Sequence, residues 1–375
     1  MEYLTKDSLK YIKLIQEKNL KHIGITKSIK SINLNKNKYF TEIKTKFLKL
    51  YKKNNKFVNT LNVNEYIEKK ENKLSDNSYF IGETIRNKIL KLKNHYIFKM
   101  NEIEFHFITN KSIKFFIHKL KIILSIVYSL KELFHRKKAY QKLTIFDVNY
   151  PKQLPSKKED TIGPNNCNSG YCNVIKDNMK NGSIVLYRNE ELIKVLIHES
   201  IHANFIDYEI IANQYKSNMD DKICTKYNIL LNEAFTETLA CILNIILVNY
   251  YTKIKINTLF RNEVNYMIYV FNNLMNYYNI KKMSDILINN GCKKYFKQST
   301  NVFSYYVLKT LNYLNINEFL KIMEKHSSNY SINNANYNHI YIHFVFKNIY
   351  NLDKYIQTNK IKDKKIRLAL YELQI

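Results

Sequence analysis

The run His198-Glu199-Ser200-Ile201-His202 sets two imidazoles four residues apart with a carboxylate between them. On a helix, positions i and i+4 share a face, so His198 and His202 can hold one Zn²⁺ from the same side. Glu199 lies about 100° round such a helix, where it reaches a water beside the metal as a general base. A catalytic zinc takes three protein ligands and keeps one position open, so a third ligand is required. Asn232-Glu233-Ala234-Phe235-Thr236-Glu237 offers it. Glu233 is the candidate ligand. Glu237, again four residues on, can accept the free N–H of a ligating histidine and fix its tautomer. Asp207 follows His202 by five residues, about 140° away on a continuing helix. That marks it as a surface or outer carboxylate, and its removal is expected to leave metal binding nearly unchanged. An oxyanion also needs a donor. Tyr305 and Tyr306 are the candidates, with His326, His339 and His343 as further options.

These residues need elements to position them. Leu192, Val195, Leu196, Ile197, Ile201, Phe205 and Ile206 recur at spacings of three and four, which predicts a helix over Glu190–Ile206. Asn189 is expected to cap it, with Glu190 and Glu191 at its positive end. Ser183–Arg188 reads as a short strand. We expect it to be the sheet edge beside the metal helix, open to an extended substrate backbone. Leu230–Ala240 reads as the helix carrying Glu233. Upstream, Tyr96–Met100 and Ile103–Ile108 read as a hairpin, Ser112–His135 as a long helix and Lys142–Val148 as another strand. A polar loop from Pro151 to Asn181 holds all three prolines. The chain reads as helical from about Asp220 to its end. The expected class is α+β, predominantly helical: a small twisted sheet with an active-site helix and a helical C-terminal lobe. Residues 1–75 form a basic helical region. Residues 76–375 form the catalytic part, with sheet and metal helix in 76–210 and the helical lobe in 211–375.

The pair His-Glu-x-x-His and Asn-Glu-x-x-x-Glu resembles the gluzincin, or thermolysin-like, metallopeptidases. That resemblance implies a zincin-like fold, zinc held by His198, His202 and Glu233, and Glu237 orienting a histidine. The chain departs from the family's pattern in its longer gap between His202 and Glu233 and in Glu rather than Asp at 237. Asn168-Ser169-Gly170, Ile184–Glu191, Lys194–Glu199 and Asn301–Tyr306 are also similar to metallopeptidases of large DNA viruses. This likeness spans roughly Asn168 to Tyr306 and carries no substrate information.

Composition sets outer bounds. With 375 residues and 45% hydrophobic content, the chain can bury a sizeable core. Tyr 31, Phe 20 and Trp 0 point to an AT-rich coding source rather than to a function. The net charge is +28, and residues 1–75 alone carry 18 Lys against 7 Asp and Glu. Such a surface attracts nucleic acid non-specifically, although lysine-rich coding gives the same excess on a solvated face. Five scattered cysteines make no disulfide framework, which favours reduced thiols. The first residues lack an apolar leader, and Ile122–Leu130 and Cys241–Tyr251 are too short to span a bilayer. We therefore expect an intracellular zinc metallopeptidase, in host cytoplasm or virion if viral, acting on a peptide or protein. The alternatives are a catalytically inactive zinc-binding protein, a zinc hydrolase of another amide, and a nucleic-acid-associated basic protein.

Overall fold

A computed structural model of the chain describes residues 3–17, 29, 32–61, 67–71, 78–100, 103–135, 142–173, 182–207, 210–211, 222–225, 228–288, 293–328, 330–332, 336–357 and 363–374. The class is α+β and mainly helical, with one mixed six-stranded sheet. Its strands are β1 (Ile67–Glu71), β2 (Asn94–Met100), β3 (Ile103–Thr109), β4 (Lys142–Phe146), β5 (Gly170–Asn173) and β6 (Ser183–Leu186). They lie in the order β1-β2-β3-β4-β6-β5. β1, β2 and β3 are antiparallel, β4 and β6 run parallel to β3, and β5 returns antiparallel to β6. Met100 pairs with Ile103, as the hairpin pattern predicts.

Period-two alternation divides the strands between two faces. Phe105, Phe107, Leu143, Ile145, Ile184 and Leu186 enter the main core, and Ile108, Phe146, Val185 and Tyr187 enter a smaller one. Helix Glu83–Ile89 contributes Ile85 and Ile89 to the smaller core. Helix Ile117–Leu133 joins the parallel strands β3 and β4 and lies in the main core.

Helix Lys38–Asn59 packs against that crossover helix. Asn37 caps it by accepting the Phe40 N–H at 2.9 Å. Tyr39, Phe40, Ile43, Phe47, Tyr51 and Val58 face inward, while Lys49, Lys52, Lys53 and Lys56 are exposed. The basic N-terminal region therefore shares the main core, to which Leu4 and Tyr11 also belong. β1 departs from its expected all-helical character. The expected boundary at residue 75 lies outside the described residues.

Helices Leu231–Thr252 and Ile256–Tyr277 dominate the second half, followed by the π-helix Phe303–Leu308 and helices Lys309–Leu314, Ile316–His326 and Tyr337–Asn348. Cys241–Tyr251 is part of the longer Leu231–Thr252 helix, which is long and apolar enough to cross a membrane. Here 94% of its most apolar window is buried in the fold. The expectation of helix to the end fails at 293–301, at the short strand pair Ser327–Ser328 and Ser331–Ile332, and at 363–374, which is irregular. Its backbone is satisfied partly by isolated antiparallel bridges, Gln153–Lys365 and Leu4–Leu373, and partly by side chains: Leu368 N–H donates to Glu191 at 3.1 Å, and Leu370 N–H to Glu263 at 3.0 Å. Cys167, Cys172 and Cys241 are free thiols, whereas Cys224 is disulfide-bonded, so the reduced state expected throughout does not hold there.

Candidate metal centre

The helix bearing the two histidines runs Leu192–Ala203, shorter at both ends than its periodicity suggests. Asn189 does not cap it, because its amide donates to Asp147. Glu190 and Glu191 flank the start of the helix, and both carboxylates are also engaged by Lys152. Glu190 accepts the Lys152 N–H at 2.6 Å, and Glu191, left-handed at φ 59°, pairs with the Lys152 ammonium. The edge strand is also corrected. β6 is interior, flanked by β4 and β5, and the sheet edge beside the metal helix is β5, inside the segment read as loop. Gly170 permits this closeness. A Cβ there would stand 2.8 Å from Leu186 Cδ2 and 3.1 Å from Val195 Cγ1 of the metal helix.

His198, His202 and Glu233 converge as the sequence predicts. His202 Nε2 lies 3.1 Å from His198 Nε2, and Glu233 Oε2 lies 3.3 Å and 3.4 Å from these two nitrogens. Tetrahedral zinc with ligands at about 2.0–2.2 Å requires ligand atoms about 3.3–3.6 Å apart. The observed triangle is close to one face of that tetrahedron, so the residues present fit such an ion. Without it, burial pulls both histidines down, but carboxylates outweigh burial. Asp207 and Glu233 hold His202 well above its ordinary value, and Glu233 and Glu237 raise His198. Burial pushes Glu233 up, yet His202 and His198 bring it below the usual carboxylate range.

Each histidine is backed by a carboxylate on its far nitrogen. His198 Nδ1 stands 2.9 Å from Glu237 Oε2, off the line of an ideal hydrogen bond, and His202 Nδ1 stands 2.7 Å from Asp207 Oδ2. This arrangement fixes ring orientation at metal sites. Asp207 reaches His202 because the helix has ended. Phe205 N–H bonds to His202 O at 2.9 Å and Ile206 N–H to Ile201 O at 3.2 Å, a Schellman closure with Phe205 left-handed at φ 55°. The reversal folds Asp207 back onto His202, so the 140° separation of a continuing helix does not apply. Asp207 also accepts from Asn232 Nδ2 at 3.0 Å. Of the two alternatives, Asp207 is therefore the outer carboxylate behind His202 and not a surface one.

The triangle forms part of a cavity of about 450 Å³ also lined by Glu199, Tyr305, Asn301, Asn168, Cys172, Phe205 and Asp207. Glu199 makes no hydrogen bond or ion pair among the described residues. Burial raises its pKa, and the two histidines offset part of that rise. Tyr305 reaches the centre, with its hydroxyl donating to Glu233 Oε2 at 3.2 Å. Tyr306 does not. It is fully buried, points elsewhere from the same π-helix and donates to the Ile366 carbonyl at 2.6 Å. His326, His339 and His343 are also outside the cavity lining.

Three residues behind the centre escaped the sequence reading. Lys194 donates to both oxygens of Glu237 at 3.0 Å, and Lys309 donates to one of them at 3.0 Å. Burial raises the Glu237 carboxyl, but these two cations and His198 hold it well below its ordinary value. Lys194 had a signal: it precedes His198 by four residues in an otherwise apolar helix. Lys309 had none. Arg188, read as the end of a strand, is fully buried with no carboxylate in hydrogen-bonding contact. It donates to the carbonyls of Asn168, Tyr150, Pro151, Pro164 and Asn165 at 2.6–3.3 Å, tying the 150–168 segment beneath β5. Compared with protein-family models, with characterised proteins and with solved structures, the chain matches none.

Proposed function

We propose that this chain is a zinc-dependent metallopeptidase with a zincin-like arrangement. The observation that carries the reading is the triangle of His198, His202 and Glu233 with Glu199 beside it, without a hydrogen-bond or ion-pair partner among the described residues. A closed structural site has a fourth protein ligand and no use for a free carboxylate. The placement of the His198 helix against a sheet whose antiparallel edge strand lines the same cavity adds support. Bound zinc would supply Lewis acidity toward a peptide carbonyl and a water.

The chain's own residues do the rest. Glu237 and Asp207 hold the two imidazoles in place from behind. Glu199 takes the proton from the attacking water at its carboxylate and delivers it to the leaving amine. Tyr305, the one tyrosine of the predicted pair that reaches the triangle, donates its hydroxyl to the developing oxyanion. The free edge of β5 among the described residues offers backbone pairing to an extended peptide.

Glu199→Gln is the direct test of this chemistry. It keeps shape and leaves the three ligands intact, so zinc content should match wild type while peptide hydrolysis falls at least about 100-fold. Hydrolysis that survives the change would remove Glu199 as the base and the proposed mechanism with it.

A further inference from the structure

The lysine excess near the start of the chain takes no part in the metal centre. Helix Lys38–Asn59 exposes Lys38, Lys49, Lys52, Lys53 and Lys56, and Glu42 is its one acid. At 100° per residue, Lys38, Lys49 and Lys56 fall within about 20° of one line, with Lys52 and Lys53 about 40° and 60° to either side. The rise per residue makes this row about 27 Å long. Lys38 meets Glu42 at 4.0 Å, and Lys53 meets Glu132 at 2.9 Å. Lys49, Lys52 and Lys56 form no ion pair among the described residues.

Aromatic rings flank the row. The Lys52 and Lys253 ammonium groups lie 5.9 and 4.6 Å from the centroid of the Tyr250 ring. Tyr250 meets Tyr251 at 5.2 Å between centroids, and Tyr251 meets Tyr3 at 5.8 Å. Tyr3 is 43% exposed, and its carbonyl accepts the Gln374 N–H at 2.8 Å, so this ring stands on an anchored backbone.

The other face of the helix is already committed. Tyr39, Phe40, Ile43, Phe47, Tyr51 and Val58 are buried in the main core. The helix therefore has no apolar face to lay into a bilayer, as a membrane-surface helix does. A row of unpaired ammonium groups attracts a phosphate backbone by releasing its counterions. An exposed ring beside such a row is a platform for unpaired bases, whereas a duplex keeps its bases stacked on one another.

We propose that this face binds single-stranded nucleic acid, with phosphates along Lys49, Lys52 and Lys56 and a base stacked on Tyr3. The site is independent of the metal centre.

The test is fluorescence anisotropy of the full chain with a labelled oligothymidylate of about 20 nucleotides, over a salt series. Lys49→Gln/Lys52→Gln/Lys56→Gln changes exposed positions to a residue of similar helix propensity. It should weaken binding at least about 10-fold at low salt and make the slope of log affinity against log salt shallower by about 2, since each lost phosphate contact accounts for about 0.7. Lys281→Gln/Lys293→Gln/Lys297→Gln removes the same charge from three exposed lysines elsewhere in the chain, and its affinity should stay within about threefold of wild type. Tyr3→Ser should weaken binding about fivefold with the salt slope unchanged. Equal losses in the two triple variants would mean that net charge alone acts, and would overturn the site. A duplex of the same length bound as tightly as the single strand would overturn it too. So would a Lys49/Lys52/Lys56 variant that loses phosphatidylserine vesicles and keeps the oligonucleotide, a result that assigns the face to a membrane.

Discussion

Asp207 provides a sharp test of how the centre is built. Its Oδ2 takes three donors: His202 Nδ1 at 2.7 Å, Asn232 Nδ2 at 3.0 Å and Thr236 Oγ1 at 3.4 Å. The side chain is 1% exposed. Loss of the partner behind a metal-binding histidine costs about 10- to 100-fold in metal affinity, or about 1.4–2.7 kcal/mol. Asp207→Asn keeps an acceptor oxygen and loses the charge that roughly doubles such a bond, so it belongs near about 10-fold. Asp207→Ala leaves the imidazole N–H and the Asn232 amide without an acceptor and belongs near about 100-fold. Zinc dissociation constants from competition with a chromophoric chelator, taken beside thermal melts that establish folding, measure both. Alanine within about twofold of wild type would refute the argument that Asp207 fixes His202.

Other consequences are independent of that one. Arg188→Ala should destabilise the fold by at least about 4 kcal/mol in denaturant unfolding, because one buried and four half-buried carbonyls lose its guanidinium; Arg188→Lys should recover only part of it. Tyr305→Phe should lower turnover with zinc content retained, whereas Tyr306→Phe should leave turnover alone and cost about 1 kcal/mol of stability. Glu263, buried with its Oε2 accepting the Leu370 N–H, has its pKa pushed up from 4.5 to about 7 by burial, with Lys309 opposing. The native state therefore holds a proton that the unfolded chain releases. The associated stability is complete below about pH 4.5 and is lost as pH rises through about 7, a change of up to about 3 kcal/mol. Glu263→Gln should remove that component, so the variant gains on wild type between pH 5 and pH 8 in urea unfolding. Parallel pH profiles for the two proteins would contradict it.

What could be read in advance follows from how local each signal is. His198, Glu199 and His202 are fixed by helical spacing alone, and Glu233 and Glu237 follow from ligand count plus the same spacing. Asp207 stayed undecided between a surface and an outer carboxylate because the helix stops at Ala203 through a left-handed Phe205, where glycine would have announced the stop. β5 was missed because four residues, Gly-Tyr-Cys-Asn, within a proline-bearing loop carry no strand pattern. Tyr305 and Tyr306 are adjacent in sequence and point in different directions from a π-helix, which periodicity does not predict. Lys309 and the irregular 363–374 segment act only through contacts with residues far away in the chain. Their roles exist in the tertiary structure and not in any local pattern.

The central claim is that His198, His202 and Glu233 hold one zinc. Metal content of the reduced, zinc-reconstituted and dialysed chain tests it, with His198→Ala and Glu233→Ala measured alongside. About one zinc per wild-type chain, lost or greatly loosened in both variants, is the predicted result. A wild type that retains no zinc, or variants that retain as much as wild type, would contradict the account.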